Sequence, residues 1–183
     1  MPDVKQTITD FYRVAQERDF SRDFQFRVLS IQAGDGSDVV ISEDDLVYAQ
    51  GGTIPTRTIV NQDVPYMGLN FKCPGAAQYP GTYSITFTCD NQSSLRRVFE
   101  KWSFDIFDDE FSTGNYFVPR ATSTVDLLQL NPQLDAVAHY QLVGAYPTDV
   151  GEISYNIQGT GAPVSFPVTL AYHYWRRIRP EKD

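Results

Sequence analysis

Thr82-Tyr83-Ser84-Ile85-Thr86-Phe87-Thr88-Cys89 reads as a single half-buried strand. Tyr83, Ile85, Phe87 and Cys89 fall on one side, and Ser84, Thr86 and Thr88 on the other. A period of two with one apolar face belongs to a sheet that packs on a core and shows its back to water. The rest of the chain is read outward from this strand.

Downstream, Ser93 or Ser94 is placed to cap a helix. Leu95, Val98, Phe99, Trp102 and Ile106 share one face of that helix, which predicts core packing, and Gly114 ends the region. Upstream, residues 50–82 are punctuated by Gly51, Gly52, Pro55, Pro65, Gly68, Pro74, Gly75, Pro80 and Gly81. Between these, Thr58–Val60 and Leu69–Lys72 can pair as an irregular hairpin, so the segment is expected to protrude as a hairpin or loop. Phe24, Phe26 and Val28 alternate with Gln25 and Arg27 as a strand. Val39–Ile41 and Leu46–Ala49 are short strand candidates. At the N-terminus, Val4, Ile8, Phe11 and Ala15 fall at helical spacing with Tyr12 beside them, predicting an amphipathic helix over 4–18 within an N-terminal segment 1–20.

The last third returns to strand patterns at Val125–Leu130, Ala136–Val143, Glu152–Ile157 and Val164–Trp175. Pro167 lies inside the last of these and cannot donate to a ladder, so that end should be an edge or a bulge. Leu142–Ile153 joins two strands. Pro147 can open a turn there, Thr148 or Asp149 can bond the local backbone, and Gly151 allows a left-handed conformation before Glu152. The fold expected is mainly β with one or two helices: two packed antiparallel sheets with a flanking helix and a protruding hairpin, in one domain spanning 1–183.

Composition supports a folded β-protein. Hydrophobic residues make up 42% of the 183 and charged residues 21%, enough for a core, and the aromatics (12 Phe, 11 Tyr, 2 Trp) favour pleated surfaces. The formal net charge of −8 argues against tight, sequence-independent nucleic-acid binding. Acidic residues cluster at Asp35, Asp38 and Glu43–Asp45, and again at Asp105 and Asp108–Glu110. Arg176, Arg177, Arg179 and Lys182 form a basic C-terminus. Solvated surface accounts for such runs, and so does pairing of opposite patches between copies. Cys73 and Cys89 have no CxxC spacing and read as free thiols. No secretory leader or membrane-length apolar run is evident, which points to a soluble protein made in a cytoplasm.

Chemistry is sparse. His139 and His173 lack an HxH or HExxH partner, and no P-loop, GxSxG or GxGxxG is present. No catalytic, cofactor or metal residues are assigned. An enzyme finds no motif to support it, and a carbohydrate-binding β-sandwich would need an exposed aromatic platform.

The stretch Tyr146–Ile153 (YPTDVGEI) and the run Phe166–Trp175 (FPVTLAYHYW) resemble the C-terminal signature of T-even-type tail tube proteins of contractile-tailed bacteriophages. Arg22–Ile31, Val64–Asn70 (VPYMGLN), Thr82–Asn91 and Val98–Trp102 resemble further family segments in the same order. Residues 33–63 and 107–135 depart from the family pattern. The resemblance implies a structural subunit without enzymatic activity, whose hexameric rings stack into a hollow tube that conducts DNA. It implies sheath, baseplate and tube-terminator partners, DNA passing an acidic lumen without specific binding, no membrane insertion, and residence in the virion tail after assembly in host cytoplasm. Related alternatives are a baseplate tube initiator and the inner tube of a contractile injection system. Pro65, Tyr66, Met67 and Gly68 are candidates for stacking on the next ring. Phe11 and Tyr12 are candidates for contacting a neighbouring subunit or, equally, for an intramolecular core. Tyr146, Pro147, Thr148, Asp149, Gly151 and Glu152 shape the family-motif turn.

Overall fold

The computed structural model describes residues 7–116 and 122–178. Val4, Arg179 and Lys182, assigned above to a helix and a basic C-terminus, lie outside the described residues. Two four-stranded antiparallel sheets form the body. The first has the order β1 (Phe26–Gln32), β8 (Thr124–Leu130), β9 (Ala136–Val143), β12 (Tyr174–Ile178). The second has the order β10 (Tyr146–Val150), β11 (Ser165–Ala171), β5 (Thr82–Thr88), β2 (Ala49–Gly51). The hairpin of β3 (Thr58–Tyr66) and β4 (Leu69–Gln78) forms a separate two-stranded sheet, as does the short pair β6 (Phe107–Asp108) and β7 (Thr113–Gly114).

The period-two strand behaves as its sequence dictates. Tyr83, Ile85 and Phe87 are buried, and β11 lays Phe166, Val168 and Leu170 beside them, because Phe87 pairs with Phe166, Ile85 with Val168 and Tyr83 with Leu170. The first sheet supplies Val28, Val125, Leu127 and Leu142 to the same core. Helix α3 (Ser94–Ile106) adds Leu95, Phe99 and Trp102. Phe99 stands 5.4 Å from Phe87 and 6.3 Å from Trp102, so helix and sheet meet through aromatic rings. Each such side chain contributes about 1.5–3 kcal/mol by leaving water.

Several local expectations are corrected. Ser93 precedes α3 in a left-handed conformation (φ 51°) and makes no side-chain cap. Asp90 caps instead: its carboxylate accepts from the Ser94 N–H at 2.8 Å and the Ser94 hydroxyl at 2.6 Å. The N-terminal helix α1 is described over Ile8–Arg18. Leu46 lies in a one-turn helix, α2 (Glu43–Leu46), rather than a strand, because Ser42 and Asp45 form a capping box there. Val39–Ile41 contributes only an isolated bridge from Val40 to Gln32. Phe24 is exposed and precedes β1.

The C-terminal third differs most. Tyr146–Val150 is a strand, not a turn, and Glu152–Ile157 has no strand structure. Pro147 is tolerated because β10 is an edge strand, where a missing N–H breaks no second ladder. The long run Val164–Trp175 is two strands in different sheets, parted at Tyr172-His173. Pro167 sits in an interior strand, where the end of β10 meets it: the Gly151 N–H donates to the Pro167 carbonyl at 2.8 Å. Gly151 is not left-handed. A Cβ there would lie 2.5 Å from the Pro167 ring, so glycine serves close approach.

Candidate assembly surfaces

The β3–β4 hairpin is closed by Met67-Gly68, both at positive φ (49° and 80°). Two left-handed central residues make the tight turn whose twist matches antiparallel strands. Every residue of both strands is exposed. The register sorts their side chains. Val64 opposes Phe71 and Tyr66 opposes Leu69, which puts four apolar groups on one face. Asp63 opposes Lys72 and Pro65 opposes Asn70 on the other, with the Lys72 ammonium 2.5 Å from the Asp63 carboxylate. Nine residues at about 3.4 Å each give an arm about 30 Å long. A bare two-stranded ribbon is marginal in water, and an exposed apolar face of this kind marks an interaction surface.

The root of the hairpin is fastened to the body. The Trp175 indole N–H donates to the Thr56 carbonyl at 2.8 Å. Tyr79, which follows β4, meets the Trp175 ring edge-on at 6.4 Å, and Tyr140 of β9 meets it at 5.6 Å. Tyr83 bonds both the N–H and the carbonyl of Thr53, at 3.1 and 2.7 Å. Burial pushes the Tyr83 phenol up to about 12, and burial also raises that of Tyr172.

A row of polar groups crosses the outer face of the first sheet. Asp126 accepts from the Ser30 hydroxyl at 2.7 Å and the Gln141 amide at 2.9 Å, and its other contact is the His139 Nε2 at 2.8 Å. Arg176 then donates through two nitrogens to the Gln141 side-chain oxygen, Oε1, at 2.8 and 2.6 Å. The row ties all four strands and gives the nearly buried Asp126 partners on both oxygens. His173 lies at the β11–β12 break, against Gly144. Among the described residues no three His, Cys, Asp or Glu are grouped to hold a metal ion, and no helix is long and apolar enough to cross a membrane.

The structure places the sequence candidates as follows. Pro65 and Tyr66 end β3, and Met67, 86% exposed, forms the turn with Gly68. Phe11 and Tyr12 lie exposed on α1, so neither belongs to the core. Pro147 is buried, Tyr146 is packed against the core, and Thr148 and Asp149 are exposed at a bulge, where the Thr148 hydroxyl donates to the Thr169 carbonyl at 3.0 Å. Glu152 is exposed beyond the strand. Arg96 of α3 holds this motif in place: it donates to the Gly151 carbonyl, pairs with Glu100 at 2.7 Å and lies over the Phe166 ring. Leu69 and Phe71 were not singled out from the sequence, since only the turn register shows that they share a face with Val64 and Tyr66.

No curated protein sequence matches the chain significantly. Solved structures do match its fold. A chain from the sheath–tube complex of an extracellular contractile injection system (PVC) in its extended state aligns with TM-score 0.57 at 14% identity, covering 95% of this chain and 99% of that one. A chain from the sheath/tube terminator of the same kind of system gives 0.57 at 14% identity, over 86% and 96%. A chain from the tube-terminating cap of the anti-feeding prophage gives 0.53 at 15% identity, over 88% and 92%. The family model described as "Phage tail tube protein" matches residues 15–178, nearly the whole chain. The chain therefore belongs to the phage tail tube protein family, and its role is that of a structural tube subunit.

Proposed function

We propose that six copies close into a ring and that rings stack into the hollow tube of a contractile tail, with DNA as the cargo. The observation that carries the stacking step is the β3–β4 arm, with Val64, Tyr66, Leu69 and Phe71 uncovered on one face and Met67 at its tip. A second ring would bury that face. The open edges β1 and β12 of one sheet, and β2 and β10 of the other, are hidden once copies adjoin. Stacking of unlike faces continues without limit, as a tube requires. The net charge of −8 suits a conduit that repels phosphate rather than holding it. Sheath, baseplate and terminator proteins are the partners of such a tube. The same features suit the inner tube of a contractile injection system, whose solved chains share the fold.

Negative-stain electron microscopy of the purified protein over a concentration series tests this. Rings and hollow tubes are expected, and their symmetry gives the stoichiometry. Met67→Asp should leave a folded subunit that no longer elongates. Tubes of normal length from that variant would remove the hairpin from the stacking contact.

A further inference from the structure

Asp35-Gly36 is the one place in the sequence where Asp precedes Gly, and no Asn precedes Gly anywhere. The pair sits in the turn after β1. Gly34 and Gly36 there have positive φ (92° and 85°), and the Ser37 N–H reaches back to the Gly34 carbonyl at 3.4 Å. Both Asp35 and Gly36 are exposed. The chain is anchored on either side of them. On one side the Asp35 N–H donates to the Thr122 hydroxyl at 2.6 Å. On the other, the Ser37 hydroxyl accepts from the Val39 N–H at 3.2 Å and donates to the Asp105 carboxylate at 3.4 Å, and the Val39 side chain is buried.

Most aspartates of the chain have their carboxylates engaged. Asp10 and Asp45 complete capping boxes, Asp63 pairs with Lys72, Asp90 caps α3 and Asp126 is held by three side chains. Among the described residues, neither the Asp35 carboxylate nor the Gly36 N–H has a partner. Asp38 and Asp44 have no partner there either, but the residues that follow them are Val39 and Asp45, whose N–H groups donate to Ser37 and Ser42 and whose side chains crowd the nitrogen. Gly36 has no Cβ to shield its nitrogen.

We propose that Asp35 is a self-modification site, at which the main chain passes through a succinimide to isoaspartate. The Gly36 nitrogen attacks Cγ of the Asp35 carboxylic acid. An N–Cγ bond forms, a Cγ–O bond breaks, and the hydroxyl departs with the amide proton as water. Water then opens the ring at either carbonyl. Opening at Cγ restores Asp35. Opening at the original main-chain carbonyl routes the backbone through the side-chain carbon and leaves a free α-carboxylate. Nothing is oxidised or reduced, and water is the only co-reactant. The isomerised link adds one methylene, about 1.5 Å of chain, between the Thr122 anchor and the Ser37–Val39 anchor. Its exposed α-carboxylate is the group that an isoaspartyl carboxyl methyltransferase esterifies with a methyl from S-adenosylmethionine.

Ageing the folded protein tests this. The full chain is kept for weeks near neutral pH in water enriched in oxygen-18, beside a synthetic peptide of residues 28–57, the span that a Lys/Arg-specific protease releases. The protein is then digested in ordinary water. Its 28–57 fragment should separate into two species of equal mass, both carrying the heavy oxygen. One of them should resist an Asp-directed protease at Asp35 and accept labelled methyl from the transferase. Asp35→Glu keeps the charge and denies the five-membered ring. With circular dichroism matching the parent, its methyl acceptance should fall at least about tenfold, the rate change made by about 1.4 kcal/mol of barrier. An aged protein without the label overturns the proposal, and conversion of the free peptide alone would show that the fold protects the turn. Label at another aspartate, or equal labelling of Asp35→Glu, overturns it as well.

Discussion

The Trp175 indole N–H donates to the Thr56 carbonyl at 2.8 Å, joining the last described strand to the segment that leads into the protruding hairpin. The two residues lie 119 positions apart, so this contact sets the angle of the arm from the far end of the chain. Trp175→Phe keeps the ring packing against Tyr79 and Tyr140 and deletes the bond. Its expected cost is about 1 kcal/mol, a fall of about 2–4 °C in melting temperature. Tube elongation should suffer more than melting, because a loosened root misaims an arm about 30 Å long. Calorimetry and electron microscopy of the same sample compare the two effects.

Asp90 sets the acid limit of the α3 start. Its carboxylate is held below the ordinary carboxylate range, chiefly by the Ser94 hydroxyl. The depressed value means that its contribution is present above the unfolded-state value of 3.8 and is lost as pH falls through the folded-state value. Asp90→Ala should cost about 1 kcal/mol at neutral pH, as other cap deletions do. The gap between parent and variant should close in acid, as urea melts across pH would record.

Tyr83 sets a limit at the alkaline side. With its phenol raised to about 12 by burial, the folded state favours the protonated ring. That stability is complete below the unfolded value of 10.0 and is lost as pH rises from there through about 12. Tyr83→Phe removes the loss together with the two bonds to Thr53. The variant should be less stable than the parent at neutral pH, by about 1–2 kcal/mol. Its stability should also fall less steeply with pH above 10, as thermal melts in alkaline buffers would show.

Gly151→Ala places a methyl 2.5 Å from the Pro167 ring and 2.9 Å from its carbonyl. A loss of about 1–3 kcal/mol is expected from the forced shift. Pro167→Ala in the same chain should return part of it, and a double-mutant cycle would measure that coupling.

Much of the architecture was legible from local patterns. Tyr83–Phe87 and the Leu95–Phe99–Trp102 face are each decided by which side of one element is apolar, and burial followed that sign. Tyr146–Val150 was misjudged because Pro147 and Gly151 are turn formers by propensity, while their use depends on β10 being an edge and on Pro167 lying opposite Gly151. The Val164–Trp175 run carries no sequence mark for its transfer between sheets at Tyr172-His173. The Ser30–Asp126–Gln141–Arg176 row joins four strands, and only the register brings those residues into line.

Cys73 lies on the hairpin, two residues beyond Phe71 on the same strand, and so on the apolar face. Cys89, the other thiol, is partly enclosed and lies 3.3 Å from the Ser93 hydroxyl. The native chain therefore carries one well-exposed attachment point for a solvent-sensitive dye, on the surface whose occupancy is in question. Emission from that position would follow each arm from water into its seat in real time, turning growth of the polymer into an optical signal without any engineered residue.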